Sequence, residues 1–198
     1  MPNRAAWGAA VAALVLLAGC HTAPPVLPAS LTWQVRRLGL QARVHFTLKG
    51  RVAVATGGQG FNASLRWVQD GGSSLATLTG PLGAGGVEIA ASGDDLHIVT
   101  ANGAELRGDA ARTELNNRLG FDAPLTSLRY WVLGVPDPAR PAGETLDEAH
   151  QRLSGLQQDG WQIDYTSYMA VGDEWLPAHV TLERAGVRVR LIVDAWQS

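Results

Sequence analysis

The sequence predicts a mainly β domain with a few helices, its strands forming one antiparallel sheet with a single apolar face. Three observations carry this. Apolar and polar residues alternate over long stretches in both halves of the chain. Glycine-containing turn dipeptides separate those stretches, and one central run, from Asp109 to Val132, changes to helical spacing.

The chain opens with Arg4, an uncharged apolar run from Ala5 to Ala18, and Leu17-Ala18-Gly19-Cys20. This reads as a bacterial lipoprotein signal peptide over residues 1–19, closed by a lipobox. The run is shorter than the roughly 20 residues of a spanning helix. Cys20 is the only cysteine of the 198 residues, so no intramolecular disulfide can form. It is expected to carry a covalent N-acyl and diacylglycerol anchor, and no other cofactor is expected. An inert buried thiol would require the apolar segment to be kept as structure. Two or more chains, at about 0.8 kcal/mol per buried methylene, anchor stably where one does not. His21, rather than Asp, follows the cysteine, which by the lipoprotein sorting rule implies the outer membrane. Residues 20–29 hold Pro24, Pro25 and Pro28 and read as an extended tether.

The remaining segment, 30–198, is expected to fold as one domain around one core. The full sequence carries a formal charge of −2, and losing Arg4 makes the mature chain one unit more negative. That balance gives no electrostatic case for nucleic acid.

A first helix is expected where Leu31, Val35, Leu38 and Ala42 share a face, with Arg36, Arg37 and Arg43 elsewhere. Gly39 weakens it by about 1 kcal/mol relative to Ala. The period then becomes two. Phe46, Leu48, Val52 and Val54 mark one strand and Phe61, Ala63, Leu65 and Trp67 the next, with Gly57-Gly58-Gln59-Gly60 as the hairpin between them. Further strands are expected at 75–79, 87–91 and 96–100. Asp109 is placed to cap a helix presenting Ala111, Leu115 and Leu119, which Gly120 ends. Leu125, Leu128, Trp131 and Val132 form a second, shorter one, stopped by Gly134 and Pro136. A proline-rich loop, 136–143, leads to two hairpins: 152–158 with 161–168 about Asp159-Gly160, and 178–184 with 187–196 about Ala185-Gly186.

One stretch stands apart. In Leu78-Thr79-Gly80-Pro81-Leu82-Gly83-Ala84-Gly85-Gly86-Val87, strand-like sequence enters and leaves a turn whose centre is a large apolar residue. Leu82 lies between Pro81 and Gly83, which favour turns. It either folds back into the core or stays exposed to meet something apolar.

Catalytic patterns are missing. His21, His45, His97, His150 and His179 are scattered, with no H-E-x-x-H pair and no cysteine partner for zinc. No G-x-S-x-G elbow is present. The glycine run 80–86 has no phosphate-binding lysine, the only lysine being Lys49 on a strand. Asp94-Asp95 reads as a turn cap rather than an acid/base pair. Trp67, Trp131, Trp161, Trp175 and Trp196 either pack the core or line a pocket.

Several segments together resemble the outer-membrane lipoprotein receptor LolB family. These are Gly50-Arg51-Val52-Ala53-Val54, Leu65-Arg66-Trp67, Gly80-Pro81-Leu82-Gly83, Leu128-Arg129-Tyr130-Trp131-Val132-Leu133-Gly134-Val135-Pro136, Gly160-Trp161-Gln162-Ile163-Asp164-Tyr165 and Trp196. They occur in order through nearly the whole mature chain, behind the lipobox. The resemblance implies an unclosed antiparallel β-barrel of about ten or eleven strands, helices covering its open side, and an apolar cavity between them. It implies a monomeric, non-enzymatic protein, lipid-anchored in the outer membrane and facing the periplasm. Its implied partners are the periplasmic carrier LolA, acylated lipoprotein cargo and outer-membrane phospholipid. It implies that Leu82, flanked by Pro81 and Gly83, is the exposed leucine of a membrane-insertion loop, and here the loop carries additional glycines. Given such a cavity, strand alternation nominates Leu65, Trp67, Leu78, Ile89 and Ile98 as its lining, with Leu128, Trp131 and Val132 from the cover helix. The competing expectation is a structural or envelope-binding lipoprotein with a filled core.

Overall fold

The computed structural model describes residues 32–81 and 85–197. The signal peptide, the tether with Cys20, and both Leu82 and Gly83 therefore lie outside the described residues. So does Leu31.

A helix, α1 (Trp33–Gln41), precedes six strands: β1 (His45–Thr56), β2 (Gln59–Asp70), β3 (Ser73–Thr79), β4 (Gly86–Ser92), β5 (Asp95–Thr100) and β6 (Glu105–Arg107). Helices α2 (Gly108–Leu119) and α3 (Leu125–Trp131) follow. Then come β7 (Gly143–Asp147), β8 (Arg152–Gln158), β9 (Trp161–Val171), β10 (Glu174–Arg184) and β11 (Val187–Gln197). All eleven strands form one sheet in the order β6-β5-β4-β3-β2-β1-β11-β10-β9-β8-β7. Every pairing is antiparallel. The two edges, β6 and β7, are not paired to each other, so the barrel is unclosed. Because α2 and α3 connect one edge to the other, the chain itself carries them across the gap.

Local chemistry sets the hairpins. Asp159-Gly160 and Ala185-Gly186 both take positive φ at their two central residues, the twist that matches right-handed strands. β1 bends at a register shift between Lys49 and Gly50 against β11. A Cβ on Gly50 would sit 2.3 Å from the Ile192 carbonyl oxygen, so the crossing admits glycine only.

The structure departs from the sequence reading in four places. The buried face of α1 is Trp33 and Leu40, while Val35 and Leu38 are 50% and 63% exposed. The apolar stripe loses because the other side has specific partners. Trp33 Nε1 donates to Glu144 at 2.6 Å, Arg37 pairs with Glu144 at 2.9 Å and Arg36 with Glu174 at 2.8 Å, and Arg36 also donates to the Trp175 carbonyl. Asp109 does not cap α2. The N-cap is Arg107 without a side-chain bond, and Asp109 instead sits in the first turn, where its charge suits the helix dipole. Strands β6 and β7 escape the alternation reading because they are short and mostly polar. Finally, β10 begins ahead of Pro177, which sits at a register shift where a proline is tolerated.

The core has two parts. The larger gathers Leu48, Trp131, Leu133, Leu153, Trp161, Ile163 and Leu191 among others. The smaller holds Ile89, Leu96 and Ile98 under Ala111 and Leu115.

Candidate functional site

The two helices over the gap are fastened to different parts of this divided core. Helix α2 lays Ala111 and Leu115 on β4 and β5, whereas α3 sinks Trp131 and Val132 into the larger cluster. Polar bonds make the second attachment firm. Trp131 Nε1 donates to Gln158 Oε1 at 2.7 Å, and the Tyr165 hydroxyl donates to the Trp131 carbonyl at 3.0 Å. Gln158 also accepts the Asp137 N–H at 2.9 Å and donates to the carbonyls of Asp137 and Arg140 at 3.0 and 3.1 Å. Ser127 donates to the Asp137 carboxylate at 2.8 Å. These are buried groups, and a satisfied buried network fixes one geometry.

Between the helices, residues 120–124 cross the seam. Gly120 ends α2 at φ 75, and a Cβ there would come within 2.6 Å of Thr56 Cγ2. Phe121 meets Trp161 edge to face, ring centroids 5.6 Å apart. The Arg184 guanidinium lies 4.5 Å over the Trp161 ring and donates to the Asp122 carbonyl at 3.3 Å. A cation over an indole face is held by the ring quadrupole, so Arg184 clips the crossing segment to β9.

Beneath this segment lies an apolar cavity of about 150 Å³. Strand residues Leu65, Trp67, Leu78 and Ile89 face helix residues Leu115, Leu119 and Leu128 across it, with Phe121 and Trp161 at the crossing. Register explains the convergence: Leu65 is opposite Leu78, Trp67 opposite Ala76, and Ala76 opposite Ile89, which places them all on one face. Ser74 supplies the only hydroxyl, and no titratable side chain is in the lining. At roughly 30 Å³ for a water-sized group, the cavity holds about five such groups, a fraction of one acyl chain.

Of the nominated lining residues, Leu65, Trp67, Leu78, Ile89 and Leu128 border this cavity. Ile98 shares their face but is covered by α2 in the smaller cluster, and Trp131 and Val132 are committed to the larger one. None of the three borders this cavity, each being held by packing that one strand's alternation does not reveal, although Ile98 also borders the cleft that adjoins it. The sequence reading missed Val52 and Val54, which carry the same alternation in β1, and Leu115 and Leu119, which it had placed on one helix face.

An open cleft of about 500 Å³ adjoins the cavity and shares Phe61, Leu78, Leu115 and Leu119 with it. It reaches Gly80, Pro81, Gly85 and Arg118 at the β3–β4 turn. Pro81 is exposed there, and Gly80 N–H donates to the Gly85 carbonyl at 3.4 Å, closing the base of the loop. A larger hollow of about 780 Å³ at the tips of β1–β2 and β10–β11 is a solvent-open groove walled largely by glycines and by Glu183, Arg184 and Arg188.

Two tyrosines, Tyr165 buried and Tyr168 partly so, pack with the larger cluster that holds α3. Burial pushes the Tyr165 hydroxyl well above the ordinary phenol range, and neighbouring Tyr168 adds to it. Burial likewise raises Tyr168, against the pull of Arg36 and Arg152. Its hydroxyl donates to the Leu153 carbonyl at 2.7 Å. Among the described residues, no group of three or more His, Cys, Asp or Glu side chains could hold a metal ion. No described helix is long and apolar enough to cross a membrane.

The fold recurs in known proteins. The chain is similar in fold to a LolA-superfamily protein from Nitrosomonas europaea, with a TM-score of 0.53 at 12% identity, covering 84% of this chain and 93% of that one. In sequence it is 34% identical over 187 residues to the outer-membrane lipoprotein LolB of Nitrosococcus oceani, covering 93% of each chain. To that of Pseudomonas aeruginosa it is 31% identical over 193 residues, covering 95% of this chain and 94% of the relative. The family model for outer membrane lipoprotein LolB matches residues 44–196, from the start of β1 to the end of β11. By that match and those relatives, this chain belongs to the outer-membrane lipoprotein LolB family.

Proposed function

We propose that this chain accepts acylated lipoproteins from the periplasmic carrier LolA and releases them into the inner leaflet of the outer membrane, without any covalent step. The observation that carries this is the apolar, charge-free cavity lying between two separately anchored helices. An acylated cargo exposes tens of kcal/mol of hydrocarbon at about 0.8 kcal/mol per methylene, so it travels only inside such a container. The container must enlarge, because its present volume admits only part of one chain. The division of the core supports how: α2 and its strands can move away from α3 and β9 by releasing the Phe121–Trp161 and Arg184–Asp122 contacts and the packing of Leu125 against the smaller cluster. Direction without ATP then follows from graded affinity, the membrane holding the chains more tightly than the receptor, and the receptor more tightly than the carrier.

The chain is proposed to be tethered through acylated Cys20, with Leu82 as the membrane-entering residue of the loop. The cleft that continues the cavity towards Gly80 and Pro81 supports release on that side. Burying one leucine is worth about 1.5–3 kcal/mol, enough to bias docking and small enough to reverse.

The test is a transfer assay with lipoprotein-loaded LolA, the acylated chain and phospholipid vesicles. The native chain strips the carrier and delivers to vesicles. Leu82→Glu still strips it, while delivery falls by about tenfold or more. Equal delivery by the variant removes the role of Leu82. Cargo left on the carrier by the native chain removes the whole reading and returns the protein to a filled-core envelope lipoprotein.

A further inference from the structure

Five tryptophans are buried among the described residues, and their indole N–H groups divide sharply. Trp33 donates to Glu144, Trp131 to Gln158 at 2.7 Å, and Trp196 to the Pro177 carbonyl at 3.0 Å. Trp67 and Trp161, 9% and 2% exposed, have no acceptor for Nε1. They are also the two that line the cavity. Buried donors are nearly always satisfied, and each one left bare is a standing cost, so their coincidence with the cavity wall asks for a cause.

Packing alone is a poor one. Where bulk is the only need phenylalanine serves, and Phe46 and Phe121 sit directly against these two rings. Bound water is poor as well, since it needs two to four polar partners and the wall offers a single hydroxyl, Ser74. What remains is an acceptor that arrives with the ligand. It must be uncharged, because an apolar cavity without a cation rejects a carboxylate. The linkage between an acyl chain and its head group is such an acceptor: an ester or amide carbonyl enters apolar surroundings and lacks only a donor.

We propose that the indole N–H groups of Trp67 and Trp161 donate to the ester and amide carbonyls of the acylated cysteine of the cargo, so that the receptor reads the linkage as well as the hydrocarbon. This deepens, and rests on, the acyl-transfer reading. The two rings lie on β2 and β9 with three strands between them, and so address different carbonyls of one bound group. In the closed form both nitrogens are covered, and the bonds form as the cavity widens to take a chain.

The experiment is a displacement titration of the mature acylated chain in detergent, preloaded with a fluorescent fatty-acyl probe. The competitors are two synthetic lipidated cysteine peptides of equal chain length and equal charge, one ester- and amide-linked, the other joined through ether oxygens at all three positions. Two net hydrogen bonds predict that the carbonyl-bearing peptide displaces the probe about tenfold more tightly. In Trp67→Phe with Trp161→Phe the ratio between the two peptides collapses to about unity, whatever the change in the absolute binding of either. If the native chain binds both peptides equally, or the preference survives in the double variant, the proposal is overturned. The native comparison decides the matter if the variant fails to fold. If neither peptide displaces the probe, or the probe itself does not bind, the acyl-binding reading falls first and the proposal with it.

Discussion

At the scale of single residues, Gln158 does more than any apolar side chain to keep the cover in place. Its amide is the meeting point of α3, the loop after it and β8, with both its oxygen and its nitrogen engaged. Replacing it with leucine fills a similar volume but strands the Trp131 and Asp137 N–H groups and two carbonyls in a buried site. Gln158→Leu is expected to cost about 2–4 kcal/mol, read as a lower urea midpoint with an unchanged slope. Nothing in the sequence announces this. The Gln157-Gln158 pair reads as ordinary strand-end polarity, and only the fold shows that the second residue points inward. Leu65, Trp67, Leu78 and Ile89 were legible because a sheet face is fixed by parity. Ile98 obeyed the same parity and still missed the cavity, since what covers a strand is decided by elements distant in sequence.

The elements teach a second lesson. Strands β1, β2, β9 and β11 could be read because each is long, alternating and bounded by a turn that suits its twist. Helix α1 could be found but not oriented. Its apolar stripe of Val35 and Leu38 lost to a face carrying Trp33 and two arginines whose carboxylate partners, Glu144 and Glu174, lie more than a hundred residues away. Helix α2 is held at its end by a contact that can be tested by itself. Gly120→Ala meets a left-handed backbone and Thr56 Cγ2 together, and is expected to destabilise by about 1–3 kcal/mol. Thr56→Ala removes the collision but leaves the backbone penalty, so the double variant recovers only part of the loss. Full recovery in thermal melts would mean that the turn tolerates alanine and the collision was everything. The same hinge sits where the cover must give way, so Gly120→Ala should also slow cargo acceptance.

For the molecule as a whole, the phenols of Tyr165 and Tyr168 make stability depend on alkali. Burial raises both above their unfolded values, so the folded state holds those protons more tightly than the unfolded chain. Their contribution is fully present below the ordinary tyrosine value near pH 10 and is lost as pH rises beyond it. Urea midpoints are expected to be flat with respect to these groups up to about pH 9 and to fall above pH 10. The slope is expected to lessen in Tyr168→Phe, which keeps the ring and loses the bond to the Leu153 carbonyl. An identical alkaline slope in that variant would remove Tyr168 from the account. At this scale the residue pattern conveyed one antiparallel sheet interrupted by helices and the family resemblance its unclosed form and cover, but neither conveyed how little room lies beneath them, because volume is a sum over every facing side chain.

The strand order has one more consequence. The first strand and the last lie side by side at the middle of the sheet, β1 against β11, and β11 alone joins the β1–β6 arm to the β7–β10 arm. Without β11 the strand pairing falls into two sheets, β1–β6 and β7–β10, so removing residues 187–197 is expected to cost far more than the fraying of an ordinary end.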